Sequence, residues 1–191
     1  MIELALLAAR HELGERADGR FMQMFDYCRV HAISMLSAGP HIGCASVIPV
    51  VHHRGERFDF AARGNEAVDA VVVEALGTDE ERVIDLVAWR LDRPDRPLTM
   101  FGRVGLLGLS AALNPATFFM GAALQVHDTP LGWLKSACRG CAIVVPDVAA
   151  RQLRDVGGPI AASSLAQGRR IRALIDSVPR PAILVPERRA A

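Results

Sequence analysis

Residues Leu124–Val185 read LQVHDTPLGWLKSACRGCAIVVPDVAARQLRDVGGPIAASSLAQGRRIRALIDSVPRPAILV. Short apolar runs (LQVH, CAIVV, PIAAS and AILVP) alternate here with helix-length amphipathic segments (PLGWLKSAC, VAARQLRDV and SLAQGRRIRALIDS). Parallel strands need crossover connections longer than a hairpin turn, and this alternation is the form such a sheet takes in sequence. The last third of the chain is therefore expected to be an α/β portion with parallel strands.

Upstream the period changes. SVIPVVHHRGERFDFAA reads as two strands around a His53-Arg54-Gly55-Glu56 turn, with Pro49 restricting the first strand to an edge or an irregular position. AVVVEAL and RVIDLVAWRL flank Gly77-Thr78-Asp79-Glu80-Glu81, a polar, glycine-containing loop between two β-branched runs, which is a hairpin signal. Together they predict a meander of three or four antiparallel strands. Asp92–Pro97, DRPDRP, has two prolines and reads as a loop and as the junction between subdomains.

Toward the N-terminus, residues 2–13 and 18–37 have helical periodicity. The stripe Phe21, Met24, Phe25, Cys28, Val30, His31, Ile33, Met35 and Leu36 is expected to be a core face, with Ala17 and Asp18 at its start and Gly39-Pro40 as the stop. In LTMFGRVGLLGLSAALNPATFFMGA, Asn114-Pro115 should end one short helix and begin another. The fold class that follows is mixed α/β: an N-terminal helical hairpin, an antiparallel β-meander, then alternating β/α units with parallel strands. A chain of 191 residues suits one domain, 1–191, with a subdivision into 1–91 and 98–186.

Composition narrows the function classes. The chain is 51% hydrophobic and 23% charged, and no run of eighteen apolar residues suggests a membrane span. Twenty-two basic and 21 acidic residues give a formal charge of +1, which supplies no overall field toward nucleic acid. Four cysteines are too few for a disulfide scaffold at this length, and MIELALLAARHELGE lacks a basic leader, so a cytoplasmic protein with reduced thiols is expected.

Three constellations carry candidate chemistry. Gly102, Gly105 and Gly108 follow a strand-like run, and Asp128 closes the next apolar strand twenty residues later. A dinucleotide fold places glycines and an acid in this way for pyrophosphate and ribose. The pattern is GxxGxxG, however, with Arg103 where the fingerprint has its first glycine, so bending glycines are the competing reading. The acids Glu74, Asp85 and Asp147 could hold a hard cation. Pairing Leu76 with Glu81 would put Glu74 and Asp85 on one face, whereas pairing it with Arg82 would separate them. Asp147 is also placed to cap VAARQL.

Cys138-Arg139-Gly140-Cys141 has the spacing of half a zinc site or of a redox pair; the remaining zinc ligands would have to come from Cys28, Cys44, His31, His41, His52 or His53. The motif ends a helix and leads into a strand, the reverse of a thioredoxin-like order, so Gly140 as a helix cap beside two buried thiols is the alternative. His52 and His53 point to opposite faces of a strand and do not share an ion. Ser110, Ser163 and Ser164 lie outside any GxSxG elbow.

VIDLVAWRLDRPDRP followed by HDTPLGWLKSACRGCAIVVPD resembles a group of uncharacterised prophage-region proteins of high-GC bacteria. The resemblance spans roughly residues 82–185 and rests on Asp85, Trp89, Arg93-Pro94, Pro130, Trp133, Leu134 and Gly140. It implies a mobile-element context and carries no activity. No candidate site meets every geometric requirement of an enzyme, so the expected function is a non-catalytic binding or accessory protein. Its partner would be another protein, or a second copy in a homodimer, and it would need no cofactor. The alternatives are a nucleotide-binding enzyme or regulator using the Gly102–Gly108 loop, and a zinc-stabilised protein using Cys138 and Cys141.

Overall fold

The computed structural model describes residues 2–34, 45–62 and 66–179. Two helices, α1 (Ile2–Ala17) and α2 (Phe21–Val30), precede five strands: β1 (Ser46–His53), β2 (Arg57–Phe60), β3 (Val68–Leu76), β4 (Val83–Arg90) and β5 (Arg93–Thr99). These strands close into a barrel in the order β1-β2-β5-β4-β3. Neighbours are antiparallel except for one parallel bridge, Arg57 to Thr99, between β2 and β5. Ile48, Val50, Phe58, Ala70, Val72, Leu86, Ala88 and Leu98 come from all five strands and form one buried cluster, which is the barrel interior; Leu6, Ala9 and Leu13 of α1 join it.

The expected antiparallel hairpins are present, but the proline-rich segment is not a loop. Arg93–Thr99 is a barrel strand, with Trp89 opposite Pro97 and Ala88 opposite Leu98. Successive peptide groups of a strand point to alternate sides. The Thr99 amide donates to the Glu56 carbonyl, so Pro97, two residues earlier, directs its missing donor toward β2 and away from the β4 ladder. Pro49 is accommodated similarly. Its carbonyl accepts from the Ala61 amide, just past the end of β2, while β1 pairs on both sides. The junction between the two halves of the fold therefore lies after Thr99.

The second sheet has the order β6-β8-β7-β9, built from β6 (Leu106–Leu107), β7 (Leu124–His127), β8 (Cys141–Ile143) and β9 (Ile160–Ala162). β7 pairs in parallel with both β8 and β9, and β6 is antiparallel to β8. The helices are α3 (Leu109–Leu113), α4 (Pro130–Lys135), α5 (Pro146–Arg154) and α6 (Leu165–Asp176), with a 3-10 segment over Pro115–Gly121. Asn114 separates α3 from that segment and accepts the Ala116 amide on its side chain, as the sequence leads one to expect. The strand expected at AILVP, and Met35, Leu36, Gly39-Pro40, His41 and Cys44, lie outside the described residues.

The two sheets share a core. Val71, Val73, Val87 and Trp89 from the barrel pack in one cluster with Leu107, Trp133, Leu134, Ala142 and Val144, and with Met24, Tyr27 and Cys28 of α2. β3 and β4 are thus covered on both faces, which is why they read as continuous apolar runs. A second cluster on the other face of the β6-β8-β7-β9 sheet holds Leu124, Val126, Cys141, Ala149, Leu153 and Ile171.

The N-terminal helices divide between these cores. α1 belongs to the barrel interior and α2 to the shared core, so they are placed by the strands beneath them. The expected stripe on α2 is only partly a core face, because Phe21 and Val30 are exposed. Ala17 ends α1, and Gly19, at φ +72°, makes the turn between the helices.

The buried indole of Trp89 donates to the Tyr27 hydroxyl at 2.9 Å, tying α2 to β4. Trp89→Phe deletes this donor inside the shared core and is expected to cost about 1–2 kcal/mol. Urea denaturation would measure the loss. Loosening of α2 should also increase alkylation of Cys28, which is 1% exposed in the parent; an unchanged Cys28 rate would count against this tether.

Candidate functional site

In open α/β sheets ligands settle outside the carboxyl ends of strands where the strand order reverses. Here the reversal is at β7. The connection through α4 goes to β8 on one side of β7, while α5 carries the chain across to β9 on the other. Trp133 and Leu134 of α4 pack toward the barrel, whereas Ala149 and Leu153 of α5 and Ile171 of α6 pack on the opposite face. The connections leaving the carboxyl ends of β7 and β9 consequently run to opposite faces of the sheet and leave a crevice between them.

Asp128 stands at that crevice, one residue past β7. Its Oδ2 accepts from Ser163 Oγ at 2.8 Å, one residue past β9, and its Oδ1 accepts from the Arg170 guanidinium of α6 at 2.6 Å. Ser164 caps α6 by accepting the Gln167 amide at 3.1 Å. Gln167 is buried, its Nε2 donating to the Val126 carbonyl at 2.9 Å and its Oε1 accepting from the Ser163 amide, so it fixes the end of β9 against β7. A cavity of about 350 Å³ opens beside these groups. Pro97, Ile143, Val144, Pro146, Ile171 and Leu174 supply its apolar wall, and Asp128, Arg170 and Asp95 its polar one.

His127 gives this crevice no general base through Nε2. That nitrogen lies 2.9 Å from the Arg139 carbonyl, an obligate acceptor, so it carries the proton. Ser136 Oγ is 3.1 Å from the same nitrogen and is itself placed to donate to the Trp133 carbonyl at 2.7 Å. The arrangement closes the turn after α4; it does not activate a nucleophile.

The glycines sit elsewhere and have packing roles. At Gly102, φ +69°, a Cβ would fall within 2.1 Å of the Arg57 guanidinium. At Gly105 it would lie 2.5 Å from the Ala149 amide nitrogen and 2.3 Å from Gln152 Oε1. At Gly108, φ +75°, it would lie 2.2 Å from the Gly140 carbonyl. The space before these glycines is thus filled by protein, β6 occupies the middle of the motif, and the helix behind Gly108 has only five residues. These contacts favour the bending-glycine reading of Gly102, Gly105 and Gly108 over the phosphate loop, while Asp128 stands at a strand end.

The acids separate. Ala75 pairs with Asp85 and Leu76 with Val83, a bulge that matches neither register considered above. Glu74 and Asp85 then face opposite ways. Glu74 pairs with Arg10 of α1 at 2.6 Å. Asp85 is fully buried and accepts three backbone amides, from Leu86 at 2.8 Å, Phe101 at 2.9 Å and Arg103 at 2.7 Å. It pins the junction between the sheets, a role the sequence reading missed. Asp147 lies within the first turn of α5, behind the Val145 cap position, where it complements the helix dipole without capping.

Cys138 and Cys141 also part company. Cys141 belongs to the α5–α6 face of the second sheet, whereas Cys138 packs against the shared core. Burial pushes both thiols up to about 12, which opposes the thiolate that zinc or redox chemistry requires. α4 ends at Ser136, and the turn after it uses Ala137 and Cys138 in the left-handed region, at φ 59° and 60°. Gly140 is therefore not the helix cap; it lies where a Cβ would meet the Gln125 carbonyl at 2.2 Å. Among the described residues no group of three or more His, Cys, Asp or Glu could hold a metal ion. His52 and His53 pair with Glu56 at 3.6 Å and Asp59 at 3.0 Å.

Comparison with family models, curated proteins and solved structures finds no match. Among the described residues no helix is long and apolar enough to cross a membrane. The reading of function thus rests on the crevice.

Proposed function

We propose that this chain is a non-catalytic binding protein that takes a small molecule, with an apolar body and a polar head, at the carboxyl end of β7 and β9. The cavity of about 350 Å³ at the strand-order reversal carries this reading, because an apolar wall with a few convergent polar groups is how small-ligand sites are built. Arg170 and Asp128 would orient the head by exchanging part of their mutual ion pair for the ligand. An accessory role in a mobile element rests on the sequence resemblance alone.

Native mass spectrometry of the purified protein, followed by thermal shift against panels of nucleotides, carboxylates and amines, tests the reading. A ligand at a hundred times its Kd should stabilise the protein by about 2.7 kcal/mol. Arg170→Ala, at an exposed side chain, should fold normally and weaken that ligand by about tenfold or more, the scale of a lost charged hydrogen bond. Binding unaffected by both Arg170→Ala and Asp128→Asn would move the site elsewhere. Turnover of the bound molecule would overturn the non-catalytic assignment.

A further inference from the structure

Arg57 and Thr99 stand side by side across the parallel bridge between β2 and β5. Phe58 and Leu98 turn into the barrel, so their neighbours Arg57 and Thr99 turn outward. Both line a cavity of about 200 Å³, together with Val145 and Pro146, where the chain leaves β8 for α5. Pro97, Val144 and Pro146 line this cavity and also the crevice at Asp128 and Arg170, so the two adjoin.

Three kinds of donor meet there. The half-buried Arg57 guanidinium donates to the Met100 carbonyl at 3.3 Å and, among the described residues, has no carboxylate in ion-pair reach, so most of its five N–H groups remain for a ligand. Gly102 makes room for it, since a Cβ there would lie 2.1 Å from the guanidinium. Thr99 is only 2% exposed, yet its hydroxyl has no hydrogen-bond partner among the described residues. A buried hydroxyl left unpaired is unfavourable, and an acceptor bound in the cavity would satisfy it. The third donor is α5, nine residues long, which begins at Pro146 with no side chain capping it. Its Asp147 and Val148 amides precede the first intrahelical bond, which Ala149 donates to Val145.

We infer that this cavity is a phosphoryl-binding subsite, in which the Arg57 guanidinium, the Thr99 hydroxyl and the first-turn amides of α5 hold one tetrahedral oxyanion. A guanidinium and a helix N-terminus both favour an anion. Donors arriving from two strands and a helix suit the oxygens of a phosphoryl group better than the flat edge of a carboxylate. Gly55 and Glu56 complete the lining. The Glu56 carboxylate is 57% exposed and 3.6 Å from His52, and Asp147 is exposed, so both acids can stay in solvent. The subsite stands on these residues alone; only the extension of an organic phosphate into the crevice rests on the reading above.

Titration of the chain with inorganic phosphate, followed by amide NMR, tests the assignment. Phosphate should shift the Asp147 and Val148 amides. Arg57→Gln and Thr99→Val should each weaken it by about tenfold or more, the scale of a hydrogen bond to a charged group, and Thr99→Val should keep the parental melting temperature because its hydroxyl supports nothing in the fold. Spectra that phosphate leaves unchanged, or shifts that survive both substitutions, would overturn the subsite. Shifts lost in Arg170→Ala but kept in Arg57→Gln would place the anion at the Asp128 end and overturn it equally. A phosphate monoester with an apolar body that binds more tightly than phosphate, and loses that margin in Arg170→Ala, would assign an organic ligand spanning both cavities. Equal affinity of the two would make free phosphate the occupant, upholding the subsite and counting against the crevice.

Discussion

Asp85→Ala is expected to destabilise the fold by about 4 kcal/mol, because it leaves three buried backbone donors without an acceptor, each costing on the order of 1–3 kcal/mol before relaxation. The donors are the amides of Leu86, Phe101 and Arg103, and the carboxylate is fully buried. Asp85→Asn separates this acceptor role from simple packing. Oδ1 serves Leu86 and Phe101 and Oδ2 serves Arg103, so asparagine can retain two bonds but must set its amide against the third donor. An intermediate loss of about 2 kcal/mol is expected. Urea denaturation of the three proteins would give the series. If Asn matched the parent and Ala cost less than 1 kcal/mol, the staple across the sheet junction would be rejected.

That acid illustrates why half of the fold was legible in sequence and its joint was not. The β/α alternation after Leu124 is local and periodic, so each described element from β7 to α6 falls where its residue pattern places it. Barrel closure depends on β5, and the two prolines of DRPDRP hide that strand unless one knows which side of each peptide is paired. The bulge opposite Ala75 and Leu76 likewise has no local signature, although it decides that Glu74 meets α1 while Asp85 turns to the junction. One signal was available: an aspartate inside the apolar run VIDLVAW must find buried donors, and residues 101 and 103 supply them from 16 and 18 positions downstream.

The candidate site was legible to the same uneven degree. Asp128 at the end of the first parallel strand is visible in sequence, but the crevice exists only because β8 and β9 lie on opposite sides of β7. Arg170 and Ser163 become its partners through that strand order, which residue spacing does not encode.

Gly105 offers the second large effect, and it separates a packing glycine from a phosphate-cradling one. The Gly105 carbonyl accepts the Val144 amide at 2.8 Å, which holds this backbone in place while α5 lies against it. An added Cβ would meet the Ala149 amide nitrogen at 2.5 Å and the Val148 carbonyl carbon at 2.8 Å, and neither is the movable end of a side chain. Gly105→Ala should therefore cost about 3 kcal/mol, and Gly105→Glu should cost more and lower the soluble yield. Gln152 Oε1, also in the way at 2.3 Å, is a buried oxygen without a hydrogen-bond partner among the described residues. Gln152→Ala added to Gly105→Ala removes that one obstacle and leaves the helix backbone, so it should restore only about 1 kcal/mol of the loss. Thermal and urea unfolding of the two single variants and the double variant would measure this. A Gly105→Ala protein with parental stability that no longer retained a nucleotide would instead return the loop to a ligand-binding role, since a cradle can lose its guest without disturbing α5, whereas a packing contact cannot.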